Sequence, residues 1–346
     1  MNCPFIRNAF RPRPSLWCGL LVTLLAGCSL AQADYSTHPQ AQAFIAEMVE
    51  KEGLDRTAVQ ALLAQAKRQQ TVIDLMSRPA EKTLTWGPYR DIFVQPDRIQ
   101  AGAQFWHTHR AVLREMEAHY GVPPEIVVAI IGVETFYGRI TGNFRVLDAL
   151  ATLAFDYPPR AKFFRSQLKH FLLLVREQNK DPLAFKGSYA GAMGLGQFIP
   201  RSYRNYAANY RDDGFIDLWD PQDAIWSVAN YLTAPEHDWR RGQQIALPAR
   251  LTGPLTDAAQ AALFNGKLKP ELSLAALRTL GIAATVKVPD DRALATPILL
   301  NGHNGPEYWL GLHNFYALTR YNHSQLYAMA VHDLAAAVRT AYADRR

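Results

Sequence analysis

The segment "PEIVVAIIGVETFYGR" (124–139) constrains the fold most strongly, because it is a helix-length run that is apolar on every face. A helix with no polar face is stable only when other elements surround it. Proline at position 124 is typical of the first turn of a helix. The chain must therefore build its core around this helix, which favours a mainly α fold.

One carboxylate, Glu134, lies near the end of this run. Burial disfavours an ionised carboxyl group and raises its pKa, and the partial negative charge at a helix C-terminus acts in the same direction. A carboxyl group that keeps its proton near neutral pH can act as a general acid. The alternative is a structural ion pair with one of three arginines, at 139, 145 or 160.

The first 27 residues have the layout of a secretory signal. Three arginines precede the apolar run "LWCGLLVTLLAG", which is too short to span a bilayer comfortably. The following "LAGCS" resembles a bacterial lipoprotein signal, in which the cysteine, here Cys28, is lipidated and becomes the N-terminus. Ser29 after it favours the outer membrane of a Gram-negative cell. The alternative is an ordinary signal cleaved after Ala33.

Charge and cysteine content restrict the function classes. Residues 1–27 hold three of the 37 basic residues and no acidic ones, so their removal leaves 34 basic against 31 acidic residues and lowers the net charge from +6 to +3. No basic run predicts nucleic-acid binding. The three cysteines lie at 3, 18 and 28. A chain lipidated at Cys28 therefore has no thiol left for a disulfide.

Hydrophobic periodicity predicts helices over 35–80, 96–121, 124–136 and about 323–343. The segment 84–94 is less regular, and we interpret it as a connection. After about residue 234, strand-like segments such as "GQQIALPARLT" and "EYWLGLHNFYALTRY" predict a small α+β region. The aromatic residues of the second segment are typical either of a sheet core or of a wall that stacks on sugars.

Two loops carry further candidate sites. "GSYAGAMGLGQF" (187–198) lacks the Gly-Lys-Ser/Thr of a phosphate loop and suggests a chain-shaped ligand close to the backbone; a tight helix–loop junction is the alternative. "NYRDDGFIDLWDPQD" (209–223) resembles a calcium loop, although Arg211 stands where an oxygen ligand is expected. The alternative is a solvated acidic loop. The histidines at 303, 313, 323 and 332 lack metal-ligand spacing.

Taken together, "GVETFYGR", "DALATLAFDYPPRAKFF", "GSYAGAMGLGQFIPRSY", "DLWDPQDAI" and "FYALTRYNHS" resemble the membrane-bound lytic murein transglycosylase B family and its soluble relatives, over roughly 35–345. The resemblance implies cleavage of the β-1,4 bond between N-acetylmuramic acid and N-acetylglucosamine of peptidoglycan. It also implies a 1,6-anhydromuramoyl product formed without water. The implied fold is mainly α (α+β), a lysozyme-like helical core with a flanking helical region and a small β-containing region.

The resemblance also implies site residues. The catalytic acid falls on Glu134, and the sugar groove falls on Tyr89, Arg160, Ser188, Gln197, Tyr231, Tyr321, Asn322 and Tyr327. A family tyrosine falls on Phe163, where the hydroxyl group is missing. The calcium ligands of the family fall on Asn209, Arg211, Asp213, the backbone of Phe215, and Asp223. Whether this chain binds a structural calcium ion stays open. No cofactor is expected for catalysis.

We expect a lipid-anchored monomer at the periplasmic face of the outer membrane that acts on glycan strands of peptidoglycan, with other cell-wall enzymes as partners. Two alternatives are a hydrolytic muramidase and a non-catalytic peptidoglycan-binding lipoprotein. The predicted organisation is a signal peptide (1–27), an N-terminal helical region (28–95), the catalytic core (96–234), the small α+β region (235–312) and a C-terminal segment that returns to the core (313–346).

Overall fold

The computed structural model describes residues 35–78, 84–288 and 290–345. The predicted signal peptide and Cys28 lie outside these residues. The helices are α1 (Pro39–Glu52), α2 (Arg56–Ala64), α3 (Gln70–Ser77), α4 (Trp86–Phe93), α5 (Pro96–Thr108), α6 (Arg110–Tyr120), α7 (Pro124–Thr135), α8 (Val146–Phe155), α9 (Ala161–Gln178), α10 (Pro200–Tyr206), α11 (Pro221–Thr233), α12 (Asp257–Leu263), α13 (Leu274–Thr279), α14 (His313–Tyr321) and α15 (Gln325–Ala343). The strands are β1 (Phe144–Arg145), β2 (Lys186–Gly187), β3 (Ala246–Leu251), β4 (Leu272–Ser273), β5 (Ile282–Ala284), β6 (Leu294–Gly302) and β7 (Gly305–Gly311).

Helix α7 forms the centre of the helical part, as its sequence requires. Its residues from Ile126 to Val133 are all buried, and it packs against α5, α6, α11 and α15. Each large apolar side chain buried in this way stabilises the folded state by roughly 1.5–3 kcal/mol. The mainly helical prediction is therefore confirmed. Among the described residues, no helix has both the length and the apolar character needed to cross a membrane.

The strands after residue 234 form one antiparallel five-stranded sheet in the order β4-β6-β7-β3-β5. A separate apolar cluster, which includes Leu247, Leu277, Ile282 and Leu310, lies against this sheet. The short strands β1 and β2 pair elsewhere, with Phe144 opposite Gly187. The small antiparallel sheets agree with the predicted fold class, whereas the predicted domain boundaries stay predictions.

Three local predictions were wrong. The segment 96–121 is two helices with a break at His109, whose φ of −105° and ψ of 22° are not helical. The segment 84–94 contains α4, because its proline lies within the first turn, where it costs no backbone hydrogen bond. The second half of "EYWLGLHNFYALTRY" is α14, in which Asn314, Phe315, Ala317 and Leu318 share one buried face at helical spacing.

Three side-chain contacts fix α4 in place. Arg90 donates to Asp333 of α15 at 2.6 Å, and the Asp91 carboxylate lies 2.7 Å from His303 in the turn between β6 and β7. The indole N–H of Trp86 donates to Glu307 of β7 at 3.1 Å. These contacts attach one short helix to both the helical part and the sheet.

We expect the Arg90–Asp333 contact to make the free energy of unfolding depend on pH in the acidic range. Burial raises the pKa of Asp333, but hydrogen bonds from His332 and Arg90 outweigh it, and the pKa lies below its ordinary value. A lowered folded-state pKa contributes stability that is present above the unfolded pKa, about 3.9, and is lost as pH falls through the lower folded value. Asp333→Asn should therefore lower the melting temperature by about 3 °C at pH 7.

The measurement is thermal unfolding of wild type and variant between pH 7 and pH 3. The difference between the two should shrink below about pH 4. Asp344→Asn, an exposed aspartate just after the same helix, is the matched control and should behave as wild type. A difference that persists undiminished at pH 3 would contradict the assignment.

Candidate active site

Glu134 lies in the last turn of α7, where the helix leaves the core and the side chain becomes partly exposed. The hydroxyl of Tyr327 on α15 donates to its Oε1 at 2.7 Å. The three arginines considered as ion-pair partners contact other groups: Arg145 pairs with Asp148 at 2.6 Å, and the other two lie over the aromatic rings at 136 and 163. The contacts of this carboxylate therefore include an orienting phenol.

The chain turns sharply immediately after Glu134. Phe136 and Tyr137 have φ values of 51° and 59°, in the left-handed region that non-glycine residues seldom adopt. The hydroxyl of Thr135 lies 2.9 Å from the carbonyl oxygen of Leu195 and accepts from the N–H of Gly138 at 3.0 Å. Thr135 thus connects the end of α7 directly to the glycine-rich loop.

Arg98 of α5 caps the same helix end. Its Nη1 donates to the carbonyl oxygen of Gly132 at 2.8 Å, and its guanidinium lies 5.2 Å and 4.7 Å from the ring centroids of Phe93 and Phe136. A cation at the C-terminus of a helix interacts favourably with its dipole. Burial lowers the pKa of Arg98, which remains charged. The guanidinium therefore fixes the backbone two residues before Glu134.

Three tyrosines form one aromatic group, and Tyr327 connects this group with Glu134. The rings of Tyr321 and Tyr327 are stacked with centroids 6.3 Å apart, and Tyr231 meets Tyr321 at 4.8 Å. Burial, and secondly the charge of Glu134, raise the pKa of Tyr327 and Tyr321 well above the ordinary value. Both hydroxyls therefore stay protonated and act as hydrogen-bond donors.

The glycine-rich loop lies between these tyrosines and α7. Tyr321 donates to the carbonyl oxygen of Gly196 at 2.6 Å, and Gln197 donates through Nε2 to Thr141 and Gly194 at 3.1 and 3.0 Å. Gly194 has φ of 71°, and a Cβ there would lie 2.4 Å from the backbone oxygen of Leu218. The loop therefore needs glycine at this position, which explains its composition.

Comparisons with known proteins give this geometry its context. Residues 36–336 match the family model described as a transglycosylase SLT domain. The chain is 46% identical over 314 residues to the membrane-bound lytic murein transglycosylase B of Escherichia coli, covering 88% of this chain and 84% of that protein. The chain belongs to the membrane-bound lytic murein transglycosylase B family. It is a peptidoglycan lytic transglycosylase, as the sequence predicted.

Solved structures of this family agree with the fold. Lytic transglycosylase Slt35 of Escherichia coli in complex with calcium superimposes with a TM-score of 0.81 at 45% identity, over 90% of this chain and 96% of that chain. SltB3 of Pseudomonas aeruginosa in complex with NAG-anhNAM-pentapeptide gives a TM-score of 0.74 at 31% identity, over 87% and 79%. The lysozyme-like helical fold predicted from the family resemblance is thereby confirmed.

The structure brings most predicted groove residues of this family together, but not all. Tyr89 of α4 is buried, and its phenol interacts electrostatically with that of Tyr327, which places Tyr89 in the same group. Asn322 follows Tyr321 directly and is partly buried. Ser188 lies at the start of the glycine-rich loop, where its Oγ accepts from two backbone N–H groups of that loop.

Arg160 lies apart from this group in the described contacts. Its guanidinium is 4.6 Å from the ring centroid of Phe163 and 5.1 Å from that of Phe164, and its Nη1 reaches Met76 at 3.8 Å. Phe163, which replaces the family tyrosine, is 38% exposed. The pair forms a flat cationic and aromatic surface at the start of α9.

The acidic loop 209–223 lies before α11, the helix that carries Tyr231. The side chains predicted as calcium ligands contact one another and the backbone of the loop. Asn209 donates to Asp213 at 3.1 Å, and Asp223 accepts from the N–H groups of Tyr210 and Asp217 at 2.9 and 2.8 Å. In the part of the chain that the structure describes, no group of three or more His, Cys, Asp or Glu side chains could hold a metal ion.

Two residues of the site were missed from the sequence. Thr135 belongs to the conspicuous "GVET" segment, so a polar side chain at the end of a buried helix was an available signal. Arg98 lies within an ordinary amphipathic helix, and nothing in its local sequence separates it from surface arginines. Only the packing of α5 against α7 reveals its contact with Gly132.

We expect Tyr327→Phe to reduce catalysis without unfolding the protein. The substitution keeps the buried ring and removes only the hydroxyl that donates to Glu134, so kcat should fall by about 10-fold while KM changes little. The measurement is the rate of release of soluble fragments from purified sacculi, with thermal unfolding in parallel. Tyr308→Phe, in the sheet, is the matched control, and equal rates for both variants would contradict the orienting contact.

Proposed function

We propose that Glu134 acts alone as the acid and then the base in cleavage of the β-1,4 bond between N-acetylmuramic acid and N-acetylglucosamine. The observation that carries this proposal is the 2.7 Å hydrogen bond from Tyr327 to the carboxyl group at the end of a buried helix. A carboxyl group held on one oxygen by a neutral donor has a fixed orientation, which proton transfer requires. The roles of the individual residues rest on this geometry and on membership of the family.

The first step is protonation of the leaving group. Protonated Glu134 donates its proton to the glycosidic oxygen as the bond from that oxygen to C1 of the muramic acid breaks. Positive charge develops at C1, and the carbonyl oxygen of the substrate's own N-acetyl group stabilises it, as in substrate-assisted glycosidases. Glu134 is now a carboxylate.

The second step closes the anhydro ring. The hydroxyl at C6 of the same sugar attacks C1, and Glu134 accepts the proton that this hydroxyl loses. The carboxyl group returns to its starting form, and no water is consumed. Because the nucleophile belongs to the substrate, the enzyme supplies orientation rather than a bound water molecule. These proton transfers require no cofactor.

This scheme needs no second catalytic carboxylate. The charge of Glu134 contributes to the raised pKa of both Tyr321 and Tyr327. Ordinary glycosidases place two carboxyl groups on either side of the scissile bond. A scheme with one carboxyl group favours the anhydro product over hydrolysis, because its nucleophile is part of the substrate.

The remaining residues of the family motif are proposed to bind the sugar chain. Ser188 and Gln197 lie on the glycine-rich loop, where backbone groups and small side chains allow close approach of a glycan strand. Tyr231 and Tyr321 offer ring faces that stack on sugars. Tyr89 and Asn322 complete the groove, and Arg160 with Phe163 would contact the strand further from the cleaved bond.

We expect Glu134→Gln to abolish digestion of sacculi, with a fall of roughly 1,000-fold or more in rate, because the amide neither donates nor accepts the transferred proton. Glu125→Gln, on the first turn of the same helix, is the matched control and should keep wild-type activity. Full activity of the Glu134 variant would show that the proposed mechanism is wrong.

The same assay identifies the product. Mass spectrometry of wild-type digests should show muramoyl ends lighter by one water molecule than hydrolytic ends. Hydrolytic ends would instead support a muramidase. Binding to sacculi without release of fragments would support a non-catalytic peptidoglycan-binding lipoprotein.

For location, we propose that the chain is lipidated at Cys28 and attached to the periplasmic face of the outer membrane. The support is the "LAGCS" segment after a basic and apolar start, together with a relative that is named as membrane-bound. The lipid anchor would hold a monomer close to the glycan strands and to other enzymes of the cell wall.

Metabolic labelling with palmitate tests the anchor. The label should be incorporated by wild type and lost in Cys28→Ala, whereas Cys18→Ala, which changes a cysteine of the predicted signal, should retain it. Labelling that persists in Cys28→Ala would contradict the proposed attachment at this cysteine. A wild type that takes up no label would favour the ordinary signal cleaved after Ala33, because all three cysteines precede that position.

A further inference from the structure

The loop 209–223 is the place where this chain departs from what its family implies. A relative of 45% identity has been solved with calcium, and the family resemblance predicts the ligand positions of such an ion on this loop. Calcium prefers six to eight oxygen ligands, several of them carboxylates. A calcium site on this loop must therefore pass one test, which is an oxygen atom at each ligand position.

Arg211 fails this test most clearly. Its guanidinium has no acceptor atom and carries a positive charge. Its Nη2 lies 3.2 Å from Oδ2 of Asp220, the residue that begins α11 by accepting from the N–H of Gln222 at 2.7 Å. A cation supplied by the chain itself thus faces the acidic loop from a ligand position.

Asn209 and Asp213 also contact each other directly. Asn209 Nδ2 donates to Asp213 Oδ1 at 3.1 Å, and the same oxygen accepts from the N–H of Phe215 at 3.2 Å. Asn209 Oδ1 accepts from the N–H of Arg211 at 3.1 Å. The side-chain oxygens of Asn209 and Asp213 are therefore held by donors of the loop.

Asp223 closes the loop from the other end. It is 7% exposed, with Oδ1 accepting from Tyr210 at 2.9 Å and Oδ2 accepting from Asp217 at 2.8 Å. Both N–H groups belong to the backbone of the loop that the carboxylate closes. Burial raises the pKa of Asp223, although these two N–H groups act against the rise.

We propose that the loop 209–223 is closed without calcium, by its own N–H donors and by the contact of Arg211, which stands at a ligand position, with Asp220. The Arg211–Asp220 contact is exposed and contributes little stability by itself. Its larger effect is to remove one oxygen ligand and to repel a divalent cation. The loop positions the start of α11 and with it Tyr231, so the active-site groove forms independently of calcium.

The test uses thermal unfolding and terbium luminescence on the full chain. Wild type should unfold at the same temperature in calcium and in chelator, and terbium should give no emission sensitised by Tyr210 and Trp219. Asn209→Asp/Arg211→Asp restores two anionic oxygen ligands. Its melting temperature should rise by about 4 °C at saturating calcium, and terbium emission should appear.

Arg278→Asp is the matched control. Arg278 is also an exposed arginine in an ion pair, with 54% of its side chain accessible against 56% for Arg211, but it lies in the sheet region. This variant should show no response to calcium or terbium. Magnesium in place of calcium controls for ionic strength.

Two results would overturn the proposal. One is a wild-type melting temperature that rises with calcium and falls with chelator. The other is a double variant that folds and still ignores both ions, because Arg211 would then not be what excludes calcium. The wild-type measurement decides the first point even if the double variant fails to fold. None of these readouts depends on catalytic activity.

Discussion

The burial of α7 is the constraint on which the rest of the structure depends. A helix that is apolar on every face must be enclosed, and α5, α6, α11 and α15 enclose it. Only its last turn reaches the groove, and that turn carries Glu134. The backbone there is fixed by Arg98 from one side and by Thr135 and the glycine-rich loop from the other. A rigid core thus ends at the carboxyl group that we propose as the acid and base.

Electrostatics at that position is set by neighbours that do not ionise. Tyr327 is buried and Tyr321 is partly buried beside a carboxyl group, and burial and the charge of that group keep both hydroxyls protonated. A neutral donor can hold the carboxyl group in both of its protonation states, whereas an arginine in contact would favour only the ionised one. In the proposed mechanism the same group donates a proton and then accepts one, and this neighbourhood suits both steps.

The sequence predicted the fold class and the central helix well, because long apolar periods carry strong signals, whereas the groove residues stay predictions. It failed at α4 and α14, which have eight and nine residues and are rich in aromatic side chains. Such short helices are stabilised by tertiary contacts, here Arg90 with Asp333 and Trp86 with Glu307, rather than by local propensity. The role of Arg98 could not be predicted, since its partner is a backbone carbonyl 34 residues away.

The hydrogen bond from Tyr327 to Glu134 joins positions 193 residues apart, and its donor belongs to the last helix of the chain. Contacts of such sequence separation form late, after the intervening loops have closed. An enzyme that cuts the wall of its own cell is hazardous if it works before it is correctly placed. Because the donor lies on α15, a chain in which α15 has not yet packed against α7 lacks the hydrogen bond that orients Glu134. The order of folding therefore sets when this contact first forms.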